Sequence, residues 1–157
     1  MILKDKTILV TGTYSGIGLA TAKYCLEQGA KVFANVKEQG MVDSVSRELS
    51  GEAEILPYDV SDIQATKAAF QTIEEMTGGQ LHGLVNNAGI LVEKNYLDTE
   101  LEEFDEAINV NAKAGFHHMQ LAARLMVPNQ NGSIVNICSY VGAHGAALFA
   151  AYSASKG

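Results

Sequence analysis

The sequence predicts an α/β fold, in which helices cover both faces of a doubly wound parallel sheet. Five short apolar runs alternate along the chain with longer segments of helical period. The runs lack polar alternation, which is typical of parallel strands that are buried on both faces. We expect strands over Ile8–Val10, Lys31–Asn35, Ala53–Leu56, Leu84–Asn86 and Ser133–Ile137.

The composition fits one domain over residues 1–157, since 47% of the residues are hydrophobic and only two are proline. The net charge of -7 argues against nucleic-acid binding, because neutralising phosphates needs clustered Lys and Arg. No apolar run approaches the ~18 residues of a membrane span. Cys25 and Cys138 match no metal-ligand spacing. We therefore expect a cytoplasmic protein without a metal site, a nucleic-acid partner or a membrane partner.

The turn between the first strand and the first helix contains three glycines in the spacing G-x-x-x-G-x-G. Gly12 permits a tight turn, Gly16 lets backbone amides approach a pyrophosphate, and Gly18 lets the helix pack closely on the sheet. The helix N-terminus offers unpaired N–H groups to an anion. The alternative is a purely structural turn. As a dinucleotide site, the turn would use Gly12, Thr13, Tyr14, Ser15, Gly16, Ile17 and Gly18.

The end of the second strand should distinguish NAD from NADP. An acidic side chain at this place would bind both hydroxyls of the adenosine ribose, as in NAD-binding proteins. The strand instead ends in Val36 and Lys37, and the Lys37 ammonium can pair with a 2′-phosphate. NADP(H) is therefore favoured over NAD(H), although Lys37 also fits a solvated loop position beside Glu38.

Two helix starts carry the pattern S/T-x-x-E/Q, Ser61 with Gln64 and Thr99 with Glu102. In this pattern each side chain satisfies a backbone donor at the helix entrance. The helix that begins at Thr99 should run to Val127, because a proline follows.

The helix after Thr99 contains one stripe of positions spaced three and four apart, which we expect to be buried. Asn111 is the polar exception in the stripe and needs hydrogen-bond partners such as an ordered water; a satisfied core amide or a local helix bulge is the alternative. The stripe consists of Leu101, Phe104, Ile108, Asn111, Gly115, Met119, Ala122 and Met126.

A Tyr-x-x-x-Lys pair, Tyr152 and Lys156, lies near the end of the chain. On a helix this offset places the phenol and the ammonium on one face. The cation would lower the pKa of the phenol from about 10 toward neutrality, so that the tyrosine can exchange a proton. The helix should start near Ala147 and stop at Gly157, with a frayed last turn that holds Lys156 poorly.

The remaining candidate metal ligands and catalytic groups, three histidines and one cysteine, have structural interpretations. No carboxylate or second ligand accompanies His117, His118 or His144, so we expect solvated or capping roles for them. Cys138 follows a strand, and we expect it to pack in the interior.

These motifs together resemble the short-chain dehydrogenases/reductases, from Lys6 to Gly157. The family carries the same glycine turn, an Asp-Val pair after the third strand and an N-N-A-G motif after the fourth. The resemblance implies a Rossmann fold in which Asp59 and Val60 contact adenine. It implies that Asn87, Ala88 and Gly89 stabilise the central sheet and flank the adenosine ribose.

The resemblance also implies the chemistry, hydride transfer between nicotinamide and a substrate carbonyl. Tyr152 would donate the proton, and Ser139, thirteen residues earlier, would hydrogen-bond the substrate oxygen. Lys156 would also hold the nicotinamide ribose, and Asn111 would anchor a water linked to Lys156. The branch that the sequence resembles most is the 3-oxoacyl-acyl-carrier-protein reductases. The implied partners are a small carbonyl or alcohol substrate, with an acyl-carrier-protein thioester as one candidate.

The resemblance covers only the front of the family's domain, and the match stops within the helix of Tyr152 and Lys156. We expect one face and one edge of the sheet to be uncovered. Two function classes stay open: an NADP-dependent reductase, homo-oligomeric at full length, and a dinucleotide-binding fragment without turnover. An NAD-dependent alcohol or sugar dehydrogenase of the same family is a further alternative.

Overall fold

A sheet of five parallel strands forms the centre of the computed structural model, which describes all 157 residues. The strand order is β3-β2-β1-β4-β5, so the order reverses between β1 and β4. No strand end differs from the predicted end by more than one residue. The strands are β1 (Thr7–Val10), β2 (Lys31–Val36), β3 (Glu54–Pro57), β4 (Gly83–Asn86) and β5 (Ser133–Asn136).

Helices cover both faces of the sheet, which confirms the predicted doubly wound fold. None of them is both long and apolar enough to cross a membrane. The helices are α1 (Gly16–Glu27), α2 (Val42–Glu48), α3 (Ile63–Thr77), α4 (Leu101–Ala107), α5 (Ala114–Met126), α6 (Tyr140–His144) and α7 (Ala150–Lys156), with short 3₁₀ turns at Gln39–Met41 and Tyr96–Asp98.

Neighbouring residues of the central strands point into two different cores. Leu9 and Phe33 pack with α3 and α5 on one face, whereas Val10 and Val32 pack with α1 and α2 on the other. Each fully buried side chain of this size contributes about 1.5–3 kcal/mol. Burial on both faces explains why these central strands appear in the sequence as uninterrupted apolar runs.

β5 is the exposed edge of the sheet, as expected from the sequence. It pairs only with β4, and all four of its residues are exposed. Ile134 is 36% exposed and Val135 is 48% exposed. By contrast, β1 is buried along its whole length.

The first predicted helix start is wrong by one residue. Asp62, not Ser61, caps α3, because its Oδ1 accepts hydrogen bonds from the N–H groups of Gln64 at 2.8 Å and Ala65 at 3.0 Å. The Ser61 hydroxyl instead donates to Asp59 at 2.7 Å. A carboxylate is a strong helix cap, and here it wins over the neighbouring serine.

The second predicted helix start is wrong in the same way. α4 is capped at Glu100, whose N–H donates to the Glu103 side chain at 2.9 Å. The Thr99 hydroxyl turns back to donate to the Asn95 carbonyl at 2.9 Å.

A π-helical segment, Ile108–Lys113, interrupts the helix predicted from Thr99 to Val127 and separates α4 from α5. It contains Asn111, where a local helix bulge was one of the alternatives. The wider π turn rotates the buried face relative to a regular helix. In α4, before the π segment, Leu101 is 76% exposed and Phe104 is 36% exposed, contrary to the predicted stripe, whereas Ala122 and Met126 of the stripe are buried as predicted. The fully buried positions are Ala107, Ala114, His118, Ala122 and Met126.

α7 begins three residues later than predicted. Leu148 has a φ of 69°, in the left-handed region that an α-helix cannot include. Its carbonyl accepts a hydrogen bond from the Lys94 N–H at 2.8 Å, which holds this conformation.

Candidate active site

Two connected cavities lie at the carboxyl ends of the strands, where the strand order reverses. We call the larger, of about 520 Å³, the cofactor cleft, and the smaller, of about 160 Å³, the inner cavity. Val60, Ala88 and Val110 line both. Ligands of doubly wound folds bind at this place in the sheet.

The glycine turn forms one wall of the cofactor cleft. Gly12 has a φ of 68°, and a Cβ there would lie 2.8 Å from the Cα of Ala88. Gly16 has a φ of 57° and no atom within 4 Å of its Cβ position, so its backbone faces open space. A Cβ on Gly18 would collide with the Gly12 carbonyl. Each glycine therefore meets the requirement expected from the sequence.

Five of the seven predicted turn residues line the cleft, and two lie behind it. Thr13 is fully buried, and its hydroxyl donates to the Asn35 carbonyl at 2.9 Å. Gly18 is buried at the start of α1. The residues that line the cleft are Gly12, Tyr14, Ser15, Gly16 and Ile17.

Asn35, at the end of β2, holds the glycine turn and was missed by the sequence reasoning. Its Oδ1 accepts from the Gly12 N–H at 3.1 Å. Its Nδ2 donates to the carbonyls of Tyr58 at 2.9 Å and Leu56 at 3.3 Å. The signal was a lone amide within an apolar strand, since a buried amide requires partners.

The N-N-A-G stretch is tied to the same turn. The Asn87 side chain donates to the carbonyls of Thr11 at 2.9 Å and Gly12 at 3.0 Å. The Thr11 hydroxyl, a second contributor missed from the sequence, accepts from the N–H groups of Asn87 and Ala88, both at 3.0 Å. Asn87, Ala88 and Gly89 all line the cofactor cleft.

Lys37 and Asp59 form an ion pair in the wall of the cleft. The Lys37 Nζ lies 3.6 Å from the Asp59 Oδ2. Asp59 Oδ1 accepts from the Ser61 N–H at 2.9 Å. Burial alone would raise the pKa of Asp59, but the hydrogen bonds from Ser61 and the charge of Lys37 outweigh it and hold the pKa below its usual range. Val60 follows and lines the cleft.

Asn111 lies in the π segment, and its side chain forms hydrogen bonds with protein groups. Its Oδ1 accepts from the Ile90 N–H at 2.8 Å, and its Nδ2 donates to the Ile90 carbonyl at 2.9 Å. Nδ2 also donates to the Ser155 hydroxyl at 2.8 Å, and that hydroxyl donates to the Tyr152 carbonyl at 2.7 Å. Ser155 thus links the π segment to α7.

Lys156 is well held, contrary to the expectation of a frayed helix end. Its Nζ donates to the Ile137 carbonyl at 2.9 Å. Burial lowers the pKa of Lys156, and nearby Cys138 acts in the opposite direction. A Cβ on Gly89 would lie 3.3 Å from this Nζ and 3.0 Å from the Asn111 Oδ1, so the two polar groups face the same small space.

Tyr152 and Ser139 lie on two packed helices. Ser139 precedes the first residue of α6, and its side chain makes no capping hydrogen bond. Tyr152 lies in α7, half-buried, with its ring edge-on to Phe149. The helices approach closely at Gly142, where a Cβ would lie 2.5 Å from the Lys156 carbonyl oxygen.

His118 is a core residue, so the prediction of a solvated or capping role is wrong for it. It is 1% exposed, its Nδ1 lies 2.8 Å from the Ala114 carbonyl, and its Nε2 lies 3.0 Å from the Tyr58 hydroxyl. Burial lowers the pKa of His118 to about 4. Cys138 is exposed rather than packed, because β5 lies at the edge of the sheet.

The chain matches known proteins along nearly its whole length. A family model described as short chain dehydrogenase matches residues 6–157. A 3-oxoacyl-acyl-carrier-protein reductase of Thermotoga maritima is 36% identical over 99% of this chain and 64% of its own length. A 3beta-hydroxysteroid dehydrogenase of Mediterraneibacter gnavus is 37% identical over 97% of this chain and 56% of its own length. The chain therefore spans roughly three fifths of these relatives.

A solved structure has the same fold. A putative gluconate dehydrogenase from Agrobacterium tumefaciens superposes with a TM-score of 0.92 at 31% identity, covering 98% of this chain and 62% of its own. The glycine turn, the N-N-A-G stretch and the family match agree. The chain belongs to the short-chain dehydrogenase family.

Proposed function

We propose that this chain is the Rossmann domain part of an NADP-dependent oxidoreductase that interconverts a carbonyl and a secondary alcohol. The observation that carries the proposal is the meeting of Asn111 and Lys156 in the inner cavity, directly beside the cofactor cleft. A cleft alone would fit many nucleotide-binding proteins. A half-buried ammonium beside the cleft, with Tyr152 four residues earlier in the same helix, supports oxidoreductase chemistry.

The cleft fits a dinucleotide. The open space at Gly16 and the N-terminus of α1 suit a pyrophosphate, because free N–H groups and the helix dipole attract an anion. Asp59 and Val60 would contact adenine, and Asn87, Ala88 and Gly89 would flank the ribose. Lys37 supports NADP, since its ammonium is exposed at the tip of β2 and Val36 offers no carboxylate to ribose hydroxyls.

A bound nicotinamide would supply or accept the hydride at the substrate carbon. Tyr152 would donate the proton to the carbonyl oxygen, and Ser139 would hydrogen-bond the same oxygen as negative charge develops on it. Lys156 would hold the ribose hydroxyls beside the nicotinamide. These roles need the Tyr152 and Ser139 hydroxyls to point at one substrate atom.

Asn111 would act indirectly, by holding a water that supplies protons. Both of its amide hydrogens are bonded to protein groups, so it has only acceptor capacity left. That capacity and the Lys156 ammonium face the same space beside Gly89, where a water with two or more polar partners would be stable. Such a water would return a proton to the Lys156 and Tyr152 pair after each turnover.

The substrate class that we favour is a 3-oxoacyl thioester, including one carried by acyl-carrier protein. The reductase of Thermotoga maritima supports this choice, and the steroid dehydrogenase at similar identity keeps alcohol substrates as the second candidate. We expect a homo-oligomer at full length. A dinucleotide-binding chain without turnover is the other candidate function.

The test is a substrate panel with purified protein. NADPH and NADH oxidation would be followed with 3-oxoacyl thioesters, simple ketones and keto sugars, in parallel with direct titration of each cofactor. Turnover of a thioester with NADPH would support the full proposal. Cofactor binding without turnover would favour the binding-only function, and the absence of binding of either cofactor would overturn both.

A further inference from the structure

One buried hydrogen bond crosses from the end of β3 to helix α5. The Tyr58 hydroxyl and the His118 Nε2 are 3.0 Å apart, and their rings lie nearly parallel with centroids 5.9 Å apart. Tyr58 is 6% exposed and His118 is 1% exposed. Sixty positions separate the two residues in the sequence, so only the fold brings them together.

The direction of this hydrogen bond is fixed by the other ring nitrogen. His118 Nδ1 lies 2.8 Å from the Ala114 carbonyl, which can only accept, so Nδ1 carries the proton. Nε2 of the neutral ring is then an acceptor, and the Tyr58 hydroxyl donates to it. The edge of Phe70 packs against the ring, with centroids 5.7 Å apart. The pair is therefore a satisfied polar unit within an apolar core.

No other hydrogen bond joins residues 57–62 to residues 101–126. On the opposite side, the backbone of Tyr58 is held firmly to β2, by its N–H to the Val36 carbonyl and by its carbonyl to the Asn35 amide, both at 2.9 Å. The end of β3 is thus fixed to its neighbouring strand by one backbone bond and one bond from the Asn35 side chain. The residues that follow are bonded to α3, where the Thr66 hydroxyl donates to the Val60 carbonyl at 3.4 Å. The polar tie to α5 is the Tyr58 hydroxyl.

This tie lies in the wall between the two cavities. Tyr58 lines the cofactor cleft, and His118 lines the inner cavity. The next residues, Asp59 and Val60, form the adenosine side of the cleft, and Val110 of the π segment lies on both cavities. The distance between residues 58–60 and the π segment depends on where the end of β3 lies relative to α5.

We propose that Tyr58 and His118 are positioning residues for cofactor binding, because their hydrogen bond sets the wall of residues 58–60 relative to the π segment. The inference rests on the proposed function, since it presupposes that the cleft binds a nicotinamide dinucleotide. Neither side chain touches the reacting atoms. Loss of the bond therefore changes cofactor affinity and leaves the turnover rate at saturating cofactor unchanged.

The first variant is Tyr58→Phe, which removes only the hydroxyl. We expect the Kd for NADPH, measured by direct titration, to rise about three- to tenfold, as for loss of one buried hydrogen bond. The matched control is Ile73→Val, which removes one methylene from the same core and lowers stability without touching the bond. Ile73→Val should leave the Kd within about twofold.

Two variants of His118 separate positioning from packing. His118→Leu cannot accept the hydrogen bond and should raise the Kd as much as Tyr58→Phe does. His118→Gln carries an amide oxygen that can accept from the hydroxyl, and it should recover most of the affinity. Because the two residues act through one bond, Tyr58→Phe combined with His118→Leu should raise the Kd no further than either change alone.

The outcomes distinguish this inference from the proposed function. Tight NADPH binding by the unaltered protein with an unchanged Kd in Tyr58→Phe would overturn the positioning role alone. A Kd that rises equally in Ile73→Val would also overturn it, because affinity would then follow general stability. No binding of NADPH or NADH by the unaltered protein would overturn the proposed function and this inference together.

Discussion

The cofactor half of the molecule, β1 to β4 with the glycine turn, differs from the catalytic half, which comprises the π segment, β5, α6 and α7. In the cofactor half β1 is buried along its length and β2 everywhere except at Lys31. The polar groups near the turn bond to one another: Asn35, Thr11, Thr13 and Asn87 all have partners. In the catalytic half β5 is exposed, and a few long-range bonds hold the helices. Under the proposed function, cofactor binding and catalysis would therefore depend on separate sets of contacts.

The largest effect should come from the catalytic half. Tyr152→Phe removes the proposed acid, so kcat should fall by about 10²–10⁴-fold, the usual size of a general acid's contribution. The Kd for NADPH should stay within about twofold, because the ring remains. Measurement needs a substrate identified in the panel. Retained turnover would exclude Tyr152 from the mechanism, and a large loss of cofactor binding would show that the halves are not separable.

The cofactor half is tested by Asn35→Leu. The change leaves the Gly12 N–H and the Tyr58 carbonyl buried without a partner, which should lower the free energy of unfolding by about 3 kcal/mol. The control is Asn95→Ala, an exposed cap that should cost about 1 kcal/mol. Urea unfolding of both variants gives the comparison. Equal losses would mean that the turn does not depend on Asn35.

His118, in the wall between the two cavities, should make the free energy of unfolding depend on pH. His118 has a folded-state pKa of about 4, below the ~6.5 of an unfolded histidine. The unfolded chain therefore takes up this proton first as pH falls, so stability is full above about pH 6.5 and is lost progressively down to about pH 4. The shift corresponds to about 3 kcal/mol.

The measurement is the free energy of unfolding between pH 7 and pH 4 in the unaltered protein and in His118→Gln. The difference in the free energy of unfolding between the unaltered protein and His118→Gln should shrink toward low pH, because the glutamine does not titrate. His82, whose pKa burial also lowers, is present in both proteins and cancels. Parallel curves would contradict a buried neutral His118.

The smallest effect concerns cofactor choice. Lys37→Met should weaken NADPH binding about tenfold while changing NADH binding less than about twofold, because only the phosphate interaction is lost. The control is Lys67→Met, another exposed lysine, on α3. Loss of affinity for both cofactors alike would indicate that Lys37 acts through its ion pair with Asp59 rather than on the phosphate.

Local patterns in the sequence predicted much of this molecule. The five strands appeared within one residue of their predicted ends because short, uninterrupted apolar runs are typical of parallel strands, and this holds even for the exposed β5. The helix starts failed by one residue at Asp62 and Glu100, since adjacent residues can compete for one cap. A local helix bulge was an alternative at Asn111, but the regular helical spacing around it gave no sign that a π segment extends over Ile108–Lys113.

The sequence by itself determined the strand number, the glycine turn and the Tyr152 to Lys156 pair, all of which express local requirements of backbone and spacing. Only the tertiary structure decided which distant groups meet: Asn35 with Gly12, Tyr58 with His118, and Lys156 with Ile137. The physical reason is that a buried polar group must find a partner, but the fold chooses which partner lies within hydrogen-bond distance.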